Sequence, residues 1–210
     1  MARPRSADYD DKRQAILARS AEVFAKHGYD RASMAEVARA CGVSKALLYH
    51  YYVNKAELLF DILHAHLQEL VDAVHAVDKT LPPRERLRGL IGALLEAYRD
   101  ADNEHKIQLN ELSKLPAKRQ KALTDMEREL VRVFADTIAA VNPALADEKA
   151  LLKPVTMSLF GMVNWHYMWF REGKALTRAD FADLVTTLVV EGAAALTARA
   201  PVKVKRAARG

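Results

Sequence analysis

The side chains best suited to bind another molecule are concentrated between Ser33 and Lys55. Lys45 can donate hydrogen bonds to guanine O6 or N7, and the apolar Ala46 and Leu47 that follow it can contact thymine methyl groups. Around this trio stand side chains that can donate to phosphate oxygens, namely Ser33, Tyr49, His50 and Lys55. Together they predict a contact with the major groove of double-stranded DNA and its flanking phosphates.

Each of these residues also has an ordinary structural interpretation. Leu47 can belong partly to a core, His50 can be a plain surface residue, and Ser33 can serve only as a helix cap. The DNA hypothesis therefore depends on the joint pattern rather than on any single side chain.

Three helix starts follow one another closely in the same segment. Ser33 opens a capping box with the acid three residues later, Ser44 can cap a second short helix, and Asn54 opens a third. Gly42 stands in the tight turn between the first two. This is the sequence layout of a helix-turn-helix, in which the second short helix enters the major groove.

Two short helices bury little surface alone, so we expect flanking helices to complete a small core. One is predicted from Asp11 to about Gly28, and a long amphipathic one follows Asn54. The residues that suit the shared core are Met34, Val37, Ala38, Val43, Leu48 and Tyr52. The buried stripe predicted for the long helix consists of Leu58, Leu59, Ile62, Leu63, Leu67, Leu70, Val71 and Val74.

Charge and composition restrict the class of protein. The net charge of +5 is unevenly distributed: residues 1–55 hold ten Lys or Arg and six Asp or Glu, and residues 199–210 hold five bases and no acid. A basic N-terminal segment suggests a polyanionic partner for that end. The lone Cys41 excludes an internal disulfide, and no apolar run reaches a membrane span, so a cytoplasmic location is expected.

The apolar periodicity predicts an all-α fold throughout. We expect a flexible arm at residues 1–10, a helix-turn-helix domain at 11–55, a helical domain at 56–199 and a basic tail at 200–210. Within the helical domain the pattern predicts a helix over about 118–141 and two apolar helices at about 148–172 and 178–199. The polar stretch 100–106 fits either a loop or a helix.

The segments Gly28–Ala38, Gly42–Tyr52 and Asn54–Leu59 closely resemble the TetR family of bacterial repressors. The resemblance implies an all-helical dimer in which each subunit has a three-helix DNA-binding domain and a larger ligand-binding domain. It implies base contacts from Lys45, Ala46 and Leu47. It implies phosphate contacts from Ser33, Ser44, Tyr49, His50, Tyr51 and Lys55. Leu47 departs from the pattern, because many relatives have a small polar residue there.

An aromatic and methionine-rich stretch marks a candidate ligand site. Trp165 and Trp169 are four residues apart on one helix face, and pliable methionines lie nearby; such residues suit an apolar ligand or an ordinary core. The candidate pocket residues are Tyr98, Asn110, Glu111, Met157, Phe160, Met162, Trp165 and Trp169. The run from Phe160 to Gly173 is similar to a TetR-family branch that responds to acyl-CoA thioesters, which implies an effector of that class.

The last predicted helix is apolar on more than one face and rich in small residues, which suits a homodimer interface built from the last two helices. An enzyme is the first alternative, but the chain lacks a P-loop, a dinucleotide fingerprint and a nucleophile elbow. No cofactor or catalytic residue is predicted. No metal site is predicted either, because His64, His66 and His75 do not share one helix face and suit solvent or boundary positions. A helical adaptor without DNA is the second alternative.

Overall fold

The computed structural model describes residues 5–147, 149–173 and 176–198, in which no strand occurs. The predicted all-α fold is therefore confirmed. The helices in chain order are α1 (Arg5–His27), α2 (Met34–Ala40), α3 (Lys45–Tyr51), α4 (Lys55–His75), α5 (Pro83–Ala97), α6 (Asp102–Glu111), α7 (Ala117–Val141), α8 (Pro143–Asp147), α9 (Lys149–Asn164), α10 (His166–Trp169) and α11 (Arg178–Ala198), with a 3-10 turn at Leu112–Lys114.

The chain divides into two compact units. The first unit runs to Asp72 and also takes Ala97–Glu129, and the second takes Ala73–Glu96 and the chain from Leu130 onward. Most of α4 thus packs with the helix-turn-helix, so packing does not divide the chain at residue 55. The boundary at residue 55 stays a prediction about function, and the predicted tail at 200–210 lies outside the described residues.

The three predicted helix starts are confirmed in the first unit. Ser33 Oγ accepts a hydrogen bond from Glu36 N at 3.2 Å, and Glu36 Oε2 accepts one from Ser33 N at 2.8 Å, which completes the capping box. Ser44 Oγ accepts from Leu47 N at 3.1 Å. Asn54 Oδ1 accepts from the amide at the third position of α4 at 2.9 Å. Because each start is capped locally, short helices persist around the turn at Gly42, whose φ is 66°.

The predicted flexible arm is too long. Helix α1 begins at Arg5 rather than at Asp11, and of the ten arm residues only 1–4 lie outside the described part. The Tyr9 ring stacks on Tyr51 with centroids 4.7 Å apart, which fixes the first turns of α1 against α3. Asp10 and Asp11 also suit the positive end of the helix dipole. The missed signal was the tyrosine, whose partner is 42 positions away in the sequence.

The core of the first unit follows the predicted pattern. The whole predicted stripe of α4 up to Val71 is buried, and Val37 and Leu48 are fully buried between the short helices. From α1, Ile16, Leu17, Ala21 and Phe24 join this core. At about 25 cal/mol per Å² of apolar surface, such burial is the main force that holds the short helices against α1 and α4.

In the second unit, the predicted helix over 148–172 is interrupted. Helix α9 ends at Asn164, and α10 begins at His166 after a turn at Trp165, whose φ and ψ are −90° and −2°. The His166 ring donates from Nδ1 to the Val163 carbonyl oxygen at 3.0 Å, which satisfies a carbonyl that the turn frees. No Gly or Pro stands at this turn, so the sequence pattern did not indicate it.

Helix α11 combines a buried face with ion pairs to α5. Phe181, Val185 and Val189 are buried, while Asp183 pairs with Arg88 and Glu191 with Arg84. By length and composition α11 is apolar enough to cross a membrane, contrary to the expectation that no apolar run reaches that length. Of its apolar window 33% is buried, and the salt bridges to α5 engage part of its polar side.

Candidate DNA-binding interface

Helix α3 has one face in the core and one in solvent. Leu48 is fully buried, whereas Lys45 and Ala46 are exposed. Leu47 is 39% exposed and Tyr49 42%, so part of the Leu47 side chain is open to solvent and part is covered. The three side chains predicted to contact bases therefore lie together on the outward face of a capped helix.

The two capping serines are positioned beside this face. Ser33 and Ser44 are exposed, and each holds the start of a helix through its hydroxyl. The structure thus confirms their cap role, and the predicted phosphate contacts of their hydroxyls stay predictions. At both positions the free N–H groups of the helix start add donors that suit a phosphate.

Lys55 has a structural role that its place in the sequence did not reveal. Its ammonium donates to the carbonyl oxygens of Tyr29, Asp30 and Ala32 at 2.6, 3.2 and 2.8 Å. It also lies 4.4 Å from the centroid of the Tyr29 ring, a cation–π distance. All three ammonium protons are engaged, so Lys55 joins the α1–α2 loop to the start of α4. The predicted grip of Lys55 on a phosphate requires it to release one of these carbonyls.

Tyr51 and His50 differ in exposure. Tyr51 is half-buried because its ring stacks on Tyr9, and the His50 ring meets it edge-on with centroids 6.0 Å apart. His50 itself is exposed. The predicted phosphate contacts of Tyr51 and His50 stay predictions.

A set of polar contacts joins α6 and α7 to the helix-turn-helix within the first unit. Lys106 Nζ donates to the Ala25 carbonyl at 2.8 Å near the end of α1, and Lys114 pairs with Asp30 at 2.5 Å. Arg119 pairs with Glu57 at 3.3 Å in the first turn of α4. These partners are 62 to 84 positions apart in sequence, so no local pattern could reveal them.

The candidate ligand residues are divided between the two units. In the first unit, Tyr98 is buried, with its ring centroid 4.3 Å from that of His105. Asn110 and Glu111 line a cleft of about 320 Å³ at the end of α1, together with three bases, Lys26, Arg31 and Lys106. This basic cleft unites two of the predicted residues and leaves Tyr98 out.

In the second unit the candidate residues differ in burial. Phe160 is buried and packs edge-on against Phe134 at 5.1 Å, which is a core position. Met157, Trp165 and Trp169 are 48%, 53% and 56% exposed, and Met162 is half-buried. Their own unit thus leaves three of these large apolar side chains at its surface, where they can meet a ligand or another chain. Their ligand role stays a prediction.

His66 departs from the expected solvent or boundary position. It is 2% exposed, and neither ring nitrogen has a hydrogen-bond partner. Burial lowers the pKa of His66 to about 3, with the nearby His105 contributing to the decrease, so the ring is neutral at pH 7. His64, two residues earlier, is exposed as expected.

Comparison with known proteins decides the family. The profile of the bacterial regulatory proteins of the tetR family matches residues 16–62, and that of the tetracyclin repressor-like C-terminal domain matches residues 80–193, more than half of the chain. The chain belongs to the TetR family. The resemblance found in the sequence is therefore confirmed, and this TetR-family chain is a DNA-binding transcriptional regulator.

Full-length relatives agree with this assignment. A TetR-family transcriptional regulator of Bordetella parapertussis 12822 is 32% identical, with a TM-score of 0.82 over 90% of this chain and 98% of that one. The transcriptional repressor KstR2 of Mycobacterium tuberculosis is 24% identical over 87% of this chain and 93% of its own length. AibR, solved with isovaleryl coenzyme A and operator DNA, is 27% identical, with a TM-score of 0.68 over 84% of this chain and 97% of its own.

Other curated regulators match only in part. Three of them, one of which is named a transcriptional activator, align over 81 to 94 residues, which is 32% to 40% of their own length. For a TetR-family chain, these shorter matches support the family and identify neither the effector nor the direction of regulation.

Proposed function

We propose that the chain is a homodimeric repressor in the cytoplasm that leaves a palindromic operator when a hydrophobic small molecule binds. The observation that carries the DNA part is the outward face of α3, where Lys45, Ala46 and Leu47 lie exposed on a helix held by Leu48. In a dimer, two such helices reach successive major grooves about 34–36 Å apart. The full-length match to a repressor supports repression over activation.

The dimer proposal is supported by α11. Leu184, Leu188 and Leu196 are 42%, 55% and 39% exposed on this helix. A Cβ added at Gly192 would meet no atom within 4 Å, so a second helix has room to approach closely. Because a monomer gains nothing from exposing three leucines on one helix, the two-fold pairing of α11 with its counterpart is the arrangement that buries them.

For the effector we propose an acyl-CoA thioester. AibR, a full-length structural relative, was solved with isovaleryl coenzyme A. In this chain the basic cleft at the end of α1 has Lys26, Arg31 and Lys106 against one acid, Glu111, which suits phosphate groups. Separately, the exposed Trp165 and Trp169 of the second unit stay candidates for contact with a hydrophobic ligand.

Helix α6 provides the connection between effector and DNA. The Lys106 contact to Ala25 and the Lys114 contact to Asp30 join the α6–α7 region to the end of α1 and the loop before α2. An effector that displaces α6 therefore changes the position of the helix-turn-helix. By linkage, operator DNA must weaken effector binding by the same factor by which the effector weakens DNA binding.

A selection of DNA sequences from a random pool, followed by titration of the selected operator with and without isovaleryl-CoA, tests the proposal. We expect a palindrome, two chains per site and weaker binding when the thioester is present. Coenzyme A alone is the matched control. Equal affinity of the thioester for free and operator-bound protein would show that the effector assignment is wrong, and a lack of sequence preference would remove the DNA assignment of α3.

A further inference from the structure

A second cleft in the first unit has the opposite charge from the basic one. It lies between α1, α4 and the junction of α5 with α6, with a volume of about 220 Å³. Three carboxylates line it, Glu69, Asp100 and Glu104, against a single guanidinium, that of Arg99. The lining therefore carries a formal excess of two negative charges. We call this the acidic cleft.

His66 makes the acidic cleft more than a group of surface carboxylates. The side chain lines the cleft, is 2% exposed, and has two ring nitrogens without a hydrogen-bond partner. A buried polar group without a partner is destabilising, so such groups are rare and call for an explanation. A neutral imidazole offers one acceptor and one donor. A ligand that donates to the acceptor nitrogen would satisfy a group that the protein itself leaves unsatisfied.

Glu104 is the second indication of a missing positive partner. It is half-buried on α6, and burial raises its pKa, with the nearby Glu69, Glu22 and Asp102 adding to the effect. Burial and like charges both disfavour the ionised carboxylate, and a cation beside it would reverse that. Among the described residues no group of three His, Cys, Asp or Glu side chains is placed to hold a metal ion. The arrangement suits an organic cation with several N–H donors.

We propose that the acidic cleft binds a small organic cation of the ammonium or amidinium class. Its N–H groups donate to the Glu104 and Glu69 carboxylates and, once the His66 ring turns toward the cleft, to the acceptor nitrogen of His66, which is buried in the unliganded chain. Leu17 and Ile62 supply apolar contact for the carbon skeleton. The negative lining disfavours an acyl-CoA, whose phosphate groups are negatively charged, so this site is separate from the proposed effector surface and accepts a ligand of opposite charge.

The part of the acidic cleft between α5 and α6 is a backbone turn in an unusual conformation. Asp100 has φ of 60° and is the non-glycine residue with positive φ among those described. Left-handed backbone is unfavourable for L-residues and persists where the surroundings hold it. This turn sets where α6 begins, and α6 holds the end of α1 through Lys106. A ligand in the cleft thus braces α1, α4 and α6 together, and its effect on operator binding rests on the proposed function.

Titration calorimetry on the full chain without DNA tests the binding itself. The probes are benzamidinium, its neutral isostere benzamide and the anion benzoate, with butane-1,4-diammonium as a second cation. We expect at least one cation to bind at one site per chain, about ten times or more tighter than benzamide, with no binding of benzoate. Benzamidinium or the diammonium ion should also shift the imidazole 15N resonances of His66. If neither cation binds more tightly than benzamide, the proposal is wrong.

Three variants locate the site. Glu104→Gln keeps the shape and removes the charge, and should weaken cation binding at least tenfold. Ala18→Leu, at an exposed position of α1 that lines the cleft, should block it without changing charge. Asp136→Asn on α7 lies outside the cleft lining; it is the matched control and should bind as the wild type does. Equal loss in all three variants, or unchanged binding in the first two, would overturn the assignment. Because no DNA is present, failure here leaves the DNA proposal standing, and failure to select an operator leaves this site standing.

Discussion

The Lys55 ammonium lies 2.6 Å from the carbonyl oxygen of Tyr29, and through it the first turn of α4 holds the loop between α1 and α2. Two more carbonyls of that loop accept from the same nitrogen. The Lys114 and Arg119 ion pairs attach the start of α7 and the turn before it to the same region. The helix-turn-helix is therefore held by contacts with side chains far away in the sequence as well as by its own small core.

Replacement of Lys55 tests this clamp. Lys55→Met should lower the free energy of unfolding by about 2 kcal/mol, because hydrogen bonds from a charged donor contribute about 1.5–3 kcal/mol. It should also weaken binding to specific and non-specific DNA alike, since the loop before α2 loosens. Urea unfolding and DNA titrations at several salt concentrations measure the two effects. Lys79→Met, at an exposed position between α4 and α5, is the control. A stable Lys55→Met protein that loses only DNA affinity would assign Lys55 to phosphate contact instead.

Lys45 should determine base preference without contributing to stability. Its side chain is exposed, so Lys45→Ala should change the free energy of unfolding by less than about 0.5 kcal/mol. The selected operator should change at the base pair that Lys45 contacts, with a cost of about 1–3 kcal/mol for the original site. Repeating the sequence selection with the variant measures this. An unchanged operator would show that Lys45 contacts only the backbone of the DNA.

Alanine variants of Trp165 and Phe160 should distinguish a role in the ligand response from a role in core packing. Trp165 is 53% exposed, so Trp165→Ala should cost little stability, while Phe160→Ala should cost about 3–5 kcal/mol because that ring is buried against Phe134. If Trp165 contacts the effector, its variant should keep operator affinity and lose the response to isovaleryl-CoA. Thermal unfolding together with operator titrations distinguishes the two outcomes. An unaltered response would remove Trp165 from the ligand site.

His66 should make stability depend on pH in a window set by its pKa. Burial lowers the pKa in the folded chain to about 3 from an unfolded value near 6.5, so the unfolded chain binds the extra proton first. The stabilisation is complete above pH 6.5 and declines as pH falls toward 3, by at most about 1.4 kcal/mol per pH unit. Urea unfolding between about pH 7 and 4.5 should show this slope, and His66→Leu should reduce it. His64→Gln, at an exposed position, is the control. The same slope in His66→Leu would mean that other groups cause it.

The dimer proposal gives a test on α11. Leu188→Glu should convert the dimer to a monomer, because it places a charge in the middle of the apolar surface that the second copy would cover. Light scattering after size exclusion measures the mass. Leu109→Glu is the matched control, a leucine 38% exposed on α6 in the first unit. A wild-type monomer, or an unaffected dimer in Leu188→Glu, would contradict the interface.

Local patterns predicted much of this protein because helix starts, caps and apolar stripes are local properties. The hydroxyls of Ser33 and Ser44 cap α2 and α3 as predicted, since an N-cap requires only groups three residues apart. The stripe of α4 is buried as its 3.6-residue period predicts. Two predictions were wrong: that α1 begins at Asp11, and that the helix over 148–172 is unbroken. In each place a ring makes a contact that the 3.6-residue period does not encode, Tyr9 with Tyr51 and His166 with the Val163 carbonyl oxygen.

The sequence by itself determined the all-α class, the helix-turn-helix and the residues on its outward face, because the spacing of caps and apolar residues admits one arrangement of the short helices. Only the tertiary structure decided which polar side chains meet. In the folded chain, the Lys55 ammonium donates to three carbonyl oxygens and Trp165 is exposed. His66 is buried without a hydrogen-bond partner beside a cleft lined by acidic residues. Hydrogen bonds and ion pairs act over a few ångströms between residues far apart in the chain, so their partners are fixed only when the helices pack.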